Sequence, residues 1–272
     1  MNIDIRDLHF TYPGNVLALN GISLSIASGE QIAIIGQNGA GKTTLVKHLN
    51  GLLLPTSGTV LIGDWDTREH PVAKLAARVG YVFQNPDEQL FTKTVRDEVA
   101  FGPKNLGYPP EKVEQLVEDA LELTELQDKR DVNPYDLSAT WRKMVALASI
   151  VSMDTPIIVL DEPTTGQDAA NIARIAHVVA TLRARGKTVI AITHDIDFCA
   201  ENFDRIIAMA QGRILLDGPA NDVLGQEAIL AQTYVEPPQL TRLGLRLGFP
   251  VVVRNEEEFL AAYRRYYVDK SD

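Results

Sequence analysis

Residues 36–43 read Gly36-Gln37-Asn38-Gly39-Ala40-Gly41-Lys42-Thr43, the spacing G-x-x-x-x-G-K-[ST]. No other stretch limits the possible folds of this chain so tightly. Glycines reach backbone conformations closed to other residues, so successive N–H groups can turn inward toward phosphate oxygens. The loop follows an apolar run at 31–35 and opens a helical pattern expected to extend over about 42–53. A helix N-terminus at that point adds its positive dipole end to the cradle. In this strand–loop–helix setting, Lys42 is expected to reach the β- and γ-phosphates and the Thr43 hydroxyl to coordinate Mg2+. Average residue frequencies make a chance match on the order of 0.01 in a chain of this size.

The surrounding pattern supplies an α/β setting. Ile22, Leu24 and Ile26 alternate with Ser23 and Ser25, and Tyr12-Pro13-Gly14 marks a turn, so the first thirty residues read as antiparallel strands. Segments 59–62, 79–83, 157–161, 188–193 and 205–209 read as further strands, several of them continuously apolar. Helical patterns between them are those of a parallel sheet covered on both faces. From 94 to 152 helical signals dominate; Val113, Leu116, Val117, Ala120 and Leu121 form one stripe. Eight acidic and three basic residues in 111–131 lie mostly off that stripe, as on a solvated face. After about residue 231, Pro237-Pro238 breaks the chain and a short tail follows.

Composition narrows the compartment and partners. The 272 residues carry 36 acidic and 26 basic side chains, a formal charge of -10. Duplex nucleic acid is therefore not expected as a partner, because phosphate neutralisation needs clustered Lys and Arg. No apolar run is long enough for a membrane-spanning helix, since even 145–151 is interrupted by Ser149. The N-terminus lacks a basic-then-apolar leader, and Cys199 is a lone cysteine, which fits a reducing compartment.

Two more strand ends carry chemistry. The run Ile157-Ile158-Val159-Leu160 ends in Asp161-Glu162, placing two carboxylates at the carboxyl edge of the expected sheet, where ligands bind in such folds. Asp161 suits the Mg2+ shell, and Glu162 suits polarisation of an attacking water. Val189-Ile190-Ala191-Ile192-Thr193 delivers His194 to the same edge, near a γ-phosphate. His9, His48, His70 and His177 have no such context and are expected to be structural or on the surface.

In this order the motifs resemble those of the ATP-binding-cassette ATPases, over roughly residues 1–230. The resemblance implies a P-loop fold with a RecA-like parallel-sheet core, an N-terminal antiparallel β subdomain, a helical subdomain and a C-terminal tail at 231–272. It implies ATP and Mg2+ as cofactors. Tyr12 falls where the family stacks an aromatic residue on adenine, and residues 36–44, through Thr44, fall on the phosphate-binding loop. Gln84 falls on the Q-loop glutamine that reaches the metal and senses the membrane partner. Asp161, Glu162 and His194 fall on the Walker B aspartate, the catalytic glutamate and the switch histidine, with Lys42 as the phosphate-binding lysine. Thr164-Thr165-Gly166-Gln167-Asp168 resembles the D-loop, with Gln167 where leucine is usual. The runs Gln84-Asn85-Pro86-Asp87-Glu88-Gln89-Leu90-Phe91, Glu98-Val99-Ala100-Phe101-Gly102-Pro103 and Pro237-Pro238-Gln239-Leu240-Thr241-Arg242-Leu243 are similar to the ATPases of energy-coupling factor transporters. Those ATPases drive import of vitamins and transition-metal ions.

The resemblance breaks at the signature. LSGGQ is expected, and Leu137-Ser138-Ala139-Thr140-Trp141 stands there. In the family this loop binds the ATP held by the opposite subunit. Ser138 is retained for that contact, while Ala139, Thr140 and Trp141 add bulk where glycine lets the backbone approach phosphate. Alternatively, Ser138 simply caps the following helix and the loop still fits. The resemblance thus implies a motor subunit at the cytoplasmic face of the cell membrane, paired with a related ATPase as a heterodimer in preference to a homodimer. Its further partners are an integral membrane coupling protein and a substrate-binding membrane protein. The alternatives are a non-hydrolysing regulatory subunit and a soluble non-transport ATPase.

Overall fold

Alternation of apolar and polar residues at the N-terminus produces an antiparallel sheet. Strand β1 (Ile3–Tyr12) turns at Gly14 and Asn15, both with positive φ, into β2 (Val16–Ile26). Ile22, Leu24 and Ile26 are buried and Ser23 and Ser25 exposed, as a one-sided strand requires. The computed structural model, which describes residues 1–268, continues through β3 (Gln31–Ile35) into the glycine loop and α1 (Lys42–Lys47). The expected extension of this helix to 53 does not occur. Gly51 adopts φ +75, and the Asn50 side chain accepts the Leu52 N–H at 3.2 Å, so the backbone leaves the helix.

Strands β4 (Ser57–Ile62) and β5 (Trp65–Asp66) complete the first sheet in the order β2-β1-β4-β5. The strand expected at 59–62 therefore exists but belongs to the antiparallel layer. After α2 (Val72–Leu75) and β6 (Val79–Val82), the chain is helical through α3 (Val95–Asn105), α4 (Pro110–Leu123) and α5 (Ala139–Val151). The predicted stripe Val113, Leu116, Val117, Ala120 and Leu121 is the buried face of α4. Then β7 (Ile157–Asp161), α6 (Ala169–Ala184), β8 (Thr188–Ile192), α7 (Ile196–Asn202), β9 (Arg205–Ala210) and β10 (Arg213–Pro219) follow. Next come α8 (Ala220–Leu224), α9 (Glu227–Leu230), α10 (Gln239–Arg246) and α11 (Glu256–Tyr263), followed by a π-helical turn at Arg264–Val268.

The second sheet runs β10-β9-β3-β8-β7-β6, parallel throughout except for the β9–β10 hairpin. The two-residue period of its strands feeds two cores. Ile32, Ile34, Val79, Tyr81, Ile157, Val159, Ile190 and Ile192 face α1 and the antiparallel sheet. Ala33, Val82, Ile158, Leu160, Val189 and Ala191 face the helices on the other side. Burial on both faces explains why these strands read as continuous apolar runs. It also brings the carboxyl ends of β3, β6, β7 and β8 together at one edge.

Candidate active site

The loop after β3 needs its first and last glycines. Gly36 has φ +146, and a Cβ there would lie 2.2 Å from the Met209 carbonyl oxygen. Gly41 has φ +101, and a Cβ would lie 2.7 Å from the Ala18 carbonyl oxygen. The loop is thus pressed between β9 and β2. The Lys42 ammonium donates to the Gly36 carbonyl at 2.7 Å and the Gln37 carbonyl at 3.1 Å. Burial pushes its pKa below the ordinary lysine value, while the nearby charges of Glu162 and Asp161 oppose that shift.

At the end of β7, Asp161 is buried and accepts from two hydroxyls. Thr43 Oγ1 lies 3.3 Å from Asp161 Oδ1, and Tyr81 Oη donates to Oδ2 at 2.6 Å. Burial pushes the carboxyl above its usual range; the Tyr81 hydrogen bond pulls it down, the Glu162 charge raises it further and Thr43 lowers it again. A cation beside Asp161 would relieve that unfavourable burial. Asp161 and Thr43 offer the hard oxygen donors that Mg2+ prefers, and Gln84 adds an amide oxygen in a small pocket shared with Lys42, Thr43 and Glu162. Among the described residues no group of three or more His, Cys, Asp or Glu side chains forms a cage for a metal. That donor set fits an ion delivered with the phosphates of a nucleotide.

The next residue, Glu162, takes a left-handed backbone with φ +50, a conformation that costs about 1–2 kcal/mol for a non-glycine residue. Its surroundings hold it there. Its N–H donates to the Ile192 carbonyl at 2.8 Å, and the buried Lys143 ammonium donates to its carbonyl and to that of Thr165. The Thr165 hydroxyl donates to Oε2 at 3.0 Å, and His194 Nδ1 lies 2.8 Å from the same oxygen. His194 itself is largely exposed, so one face of the Glu162–His194 pair opens to solvent. This geometry suits a carboxylate that receives a proton from water and a histidine able to reach an added phosphoryl group.

The Tyr12 hydroxyl lies 3.1 Å from Thr44 Oγ1 on α1, and its ring is edge-on to Phe10 at 4.8 Å. Glu162, His194, Gln84, Gly36, Gln37 and Asn38 line one cleft of about 540 Å³. The Lys42 and Thr43 side chains lie beside it, in the pocket they share with Glu162. Ser138 is not brought to this cleft: it caps α5, accepting the Trp141 N–H at 3.4 Å and contacting Thr140 Oγ1 at 2.7 Å. Trp141 follows in the first turn of α5. The indole packs back against the helical core, with the Lys129 ammonium 4.2 Å and the Arg174 guanidinium 5.1 Å from its centroid. Cation–π attraction and partial burial hold the ring in that place.

Sequence reasoning missed several members of the site. Tyr81 sits inside an apolar strand, and its only signal was a phenol that needs a partner when buried. Lys143 lies in a strongly apolar helix, where a buried cation calls for acceptors. Tyr234 and Glu236, from the segment before α10, also line the cleft, and the Thr233 carbonyl accepts the Gln37 N–H at 3.0 Å. Nothing in the sequence joins positions 37 and 233.

Comparison with known proteins bears on the family and the fold. The family described as "ABC transporter" matches residues 19–165. A putative ABC transporter ATP-binding protein of Methanosarcina acetivorans is 42% identical over 243 residues, 89% of this chain. The chain spans only 40% of that relative's length. The energy-coupling factor transporter ATP-binding protein EcfA of Methanothermobacter thermautotrophicus is 38% identical, covering 93% of this chain and 83% of the relative. Among solved structures, cbiO1 of Clostridium perfringens, part of the ABC transporter complex cbiONQ, aligns with a TM-score of 0.76 at 32% identity. That match covers 90% of this chain and 95% of the other.

Proposed function

The chain belongs to the ABC transporter family of ATP-binding proteins, and we propose that it is the ATP-hydrolysing motor subunit of an energy-coupling-factor importer for a vitamin or a transition-metal ion. The observation that carries the reading is the hydrogen-bonded pair of Glu162 and His194 facing the Lys42 loop. Similarity to EcfA and cbiO1 supports the transporter class.

In this reading Tyr12 stacks on adenine, and residues 36–44 cradle the phosphates. Bound Mg2+ would be held by Thr43, Asp161 and Gln84 and would neutralise charge on the β- and γ-phosphates. Lys42 exchanges its carbonyl partners for phosphate oxygens. The Glu162 carboxylate, held through Oε2 by Thr165 and His194, orients and deprotonates the attacking water, and His194 holds the γ-phosphate in line. The protein's contribution is positioning and charge neutralisation, which is what phosphoryl transfer requires.

Residues 1–230 form the cassette in this proposal, with the helical subdomain at about 94–152, and 231–272 contribute to subunit contact. A groove of about 510 Å³ in the helical region, bordered by exposed Phe91 and Phe101, receives a helix of the membrane coupling protein. No helix among the described residues is long and apolar enough to cross a membrane. In this reading the transport path belongs to partners, with this subunit peripheral at the cytoplasmic face. The altered signature makes the ATP site of the opposite subunit the weaker one, which favours a heterodimer with a related ATPase.

Copurification tests the assembly: the tagged chain is expected to bring down an integral membrane protein, a second ATPase and a bound small molecule or ion. Single-turnover hydrolysis by that complex is expected to require Glu162. Recovery of a soluble homodimer alone, or of a complex without turnover, would overturn the proposal.

A further inference from the structure

The least expected contact at the site is a phenol on its buried carboxylate. Tyr81 and Val159 are register partners on parallel strands β6 and β7. Because side chains alternate, Tyr81, Val159 and Asp161 lie on one face of the sheet, the face covered by α1. The phenol is long enough to run along β7 to Asp161, where it donates at 2.6 Å to Oδ2. Tyr81 is 4% and Asp161 3% exposed, so water does not compete for that oxygen. Thr43, at the start of α1, approaches the other oxygen, Oδ1. The two hydroxyls divide the carboxylate between them and fix its plane.

We propose that Tyr81 is a positioning residue for the divalent cation: by occupying Oδ2 it aims Oδ1 of Asp161, together with the Thr43 hydroxyl, at the ion that accompanies ATP. The inference rests on the assignment of Asp161 to the Mg2+ shell. Without the phenol, Asp161 rotates about its side-chain bonds and the cation loses a prealigned ligand. Partners that orient metal ligands typically matter about 10–100-fold in metal affinity, and a carboxylate that keeps one of two partners falls near tenfold.

The test measures Mn2+ affinity by electron paramagnetic resonance in the presence of a non-hydrolysable ATP analogue, and nucleotide affinity in EDTA, for the full chain and two variants. Tyr81→Phe keeps the ring packing and removes only the hydroxyl. It is expected to weaken Mn2+ binding about tenfold, with metal-free nucleotide affinity unchanged. Unchanged Mn2+ affinity, or an equal loss of metal-free nucleotide binding, overturns the role of Tyr81. Asp161→Asn separates the two layers of the argument. If it too leaves Mn2+ affinity intact, the metal assignment itself fails; if only Asp161→Asn weakens it, the assignment stands and Tyr81 is structural.

Discussion

At the end of β7, both carboxylates have directed partners: Tyr81 and Thr43 on Asp161, Thr165 and His194 on Glu162. At the N-terminus of α5 one hydroxyl, that of Ser138, caps the helix at 3.4 Å, with Ala139 exposed and Thr140 half-buried beside it. The two regions are joined within one helix, since Lys143, five residues after Ser138, holds the carbonyls of Glu162 and Thr165. The β7 edge is organised by this chain alone. The α5 terminus presents little of its own beyond a capped helix start, so its contribution depends on what a second subunit brings to it. In the proposed pair, one ATP site draws its catalytic groups from this chain and the other draws only this altered signature.

The sharpest way to break that contrast is to remove the proposed base. Glu162→Gln is expected to lower turnover of the assembled complex about 10²–10⁴-fold while ATP still binds; near-normal turnover in a steady-state assay would remove Glu162 from that role. Next in size is Tyr12→Ala. Loss of one stacking contact of about 1–3 kcal/mol weakens nucleotide affinity roughly 5- to 150-fold, readable by fluorescence titration, and leaves the fold intact.

The signature side is tested by rebuilding it. The triple change Ala139→Gly, Thr140→Gly and Trp141→Gln is expected to raise turnover about twofold as the weak site begins to contribute, and an unchanged rate would count against the asymmetric reading. The smallest effect belongs to Trp141→Gln alone. It removes the ring held between Lys129 and Arg174, contacts of about 0.5–1 kcal/mol each, and is expected to lower the melting temperature by a few degrees without raising turnover. A rise with the single change would mean that the indole, not the missing glycines, obstructs the site.

Much of the architecture was legible because periodicity reports burial directly. The one-sided alternation of 22–26 became β2, and the two-sided apolar runs at 157–161 and 188–193 became central strands. The site's main residues were legible because they cluster in short motifs at strand ends. Helix α1 was read too long because an apolar pattern continues through residue 53, while the conformation at Gly51 depends on what packs around it. The packing of Trp141 is hidden for a related reason: side-chain size is visible in a sequence and side-chain direction is not.

By itself, the sequence determined the phosphate loop, the two carboxylates, the histidine and the α/β order that carries them, because each depends on residue type and local spacing. Only the tertiary structure decided that Tyr81 orients Asp161, that Lys143 and Thr165 hold Glu162, and that Thr233 pins Gln37. Those contacts join residues on separate elements, and their distances follow from sheet register and helix packing, which no local spacing records.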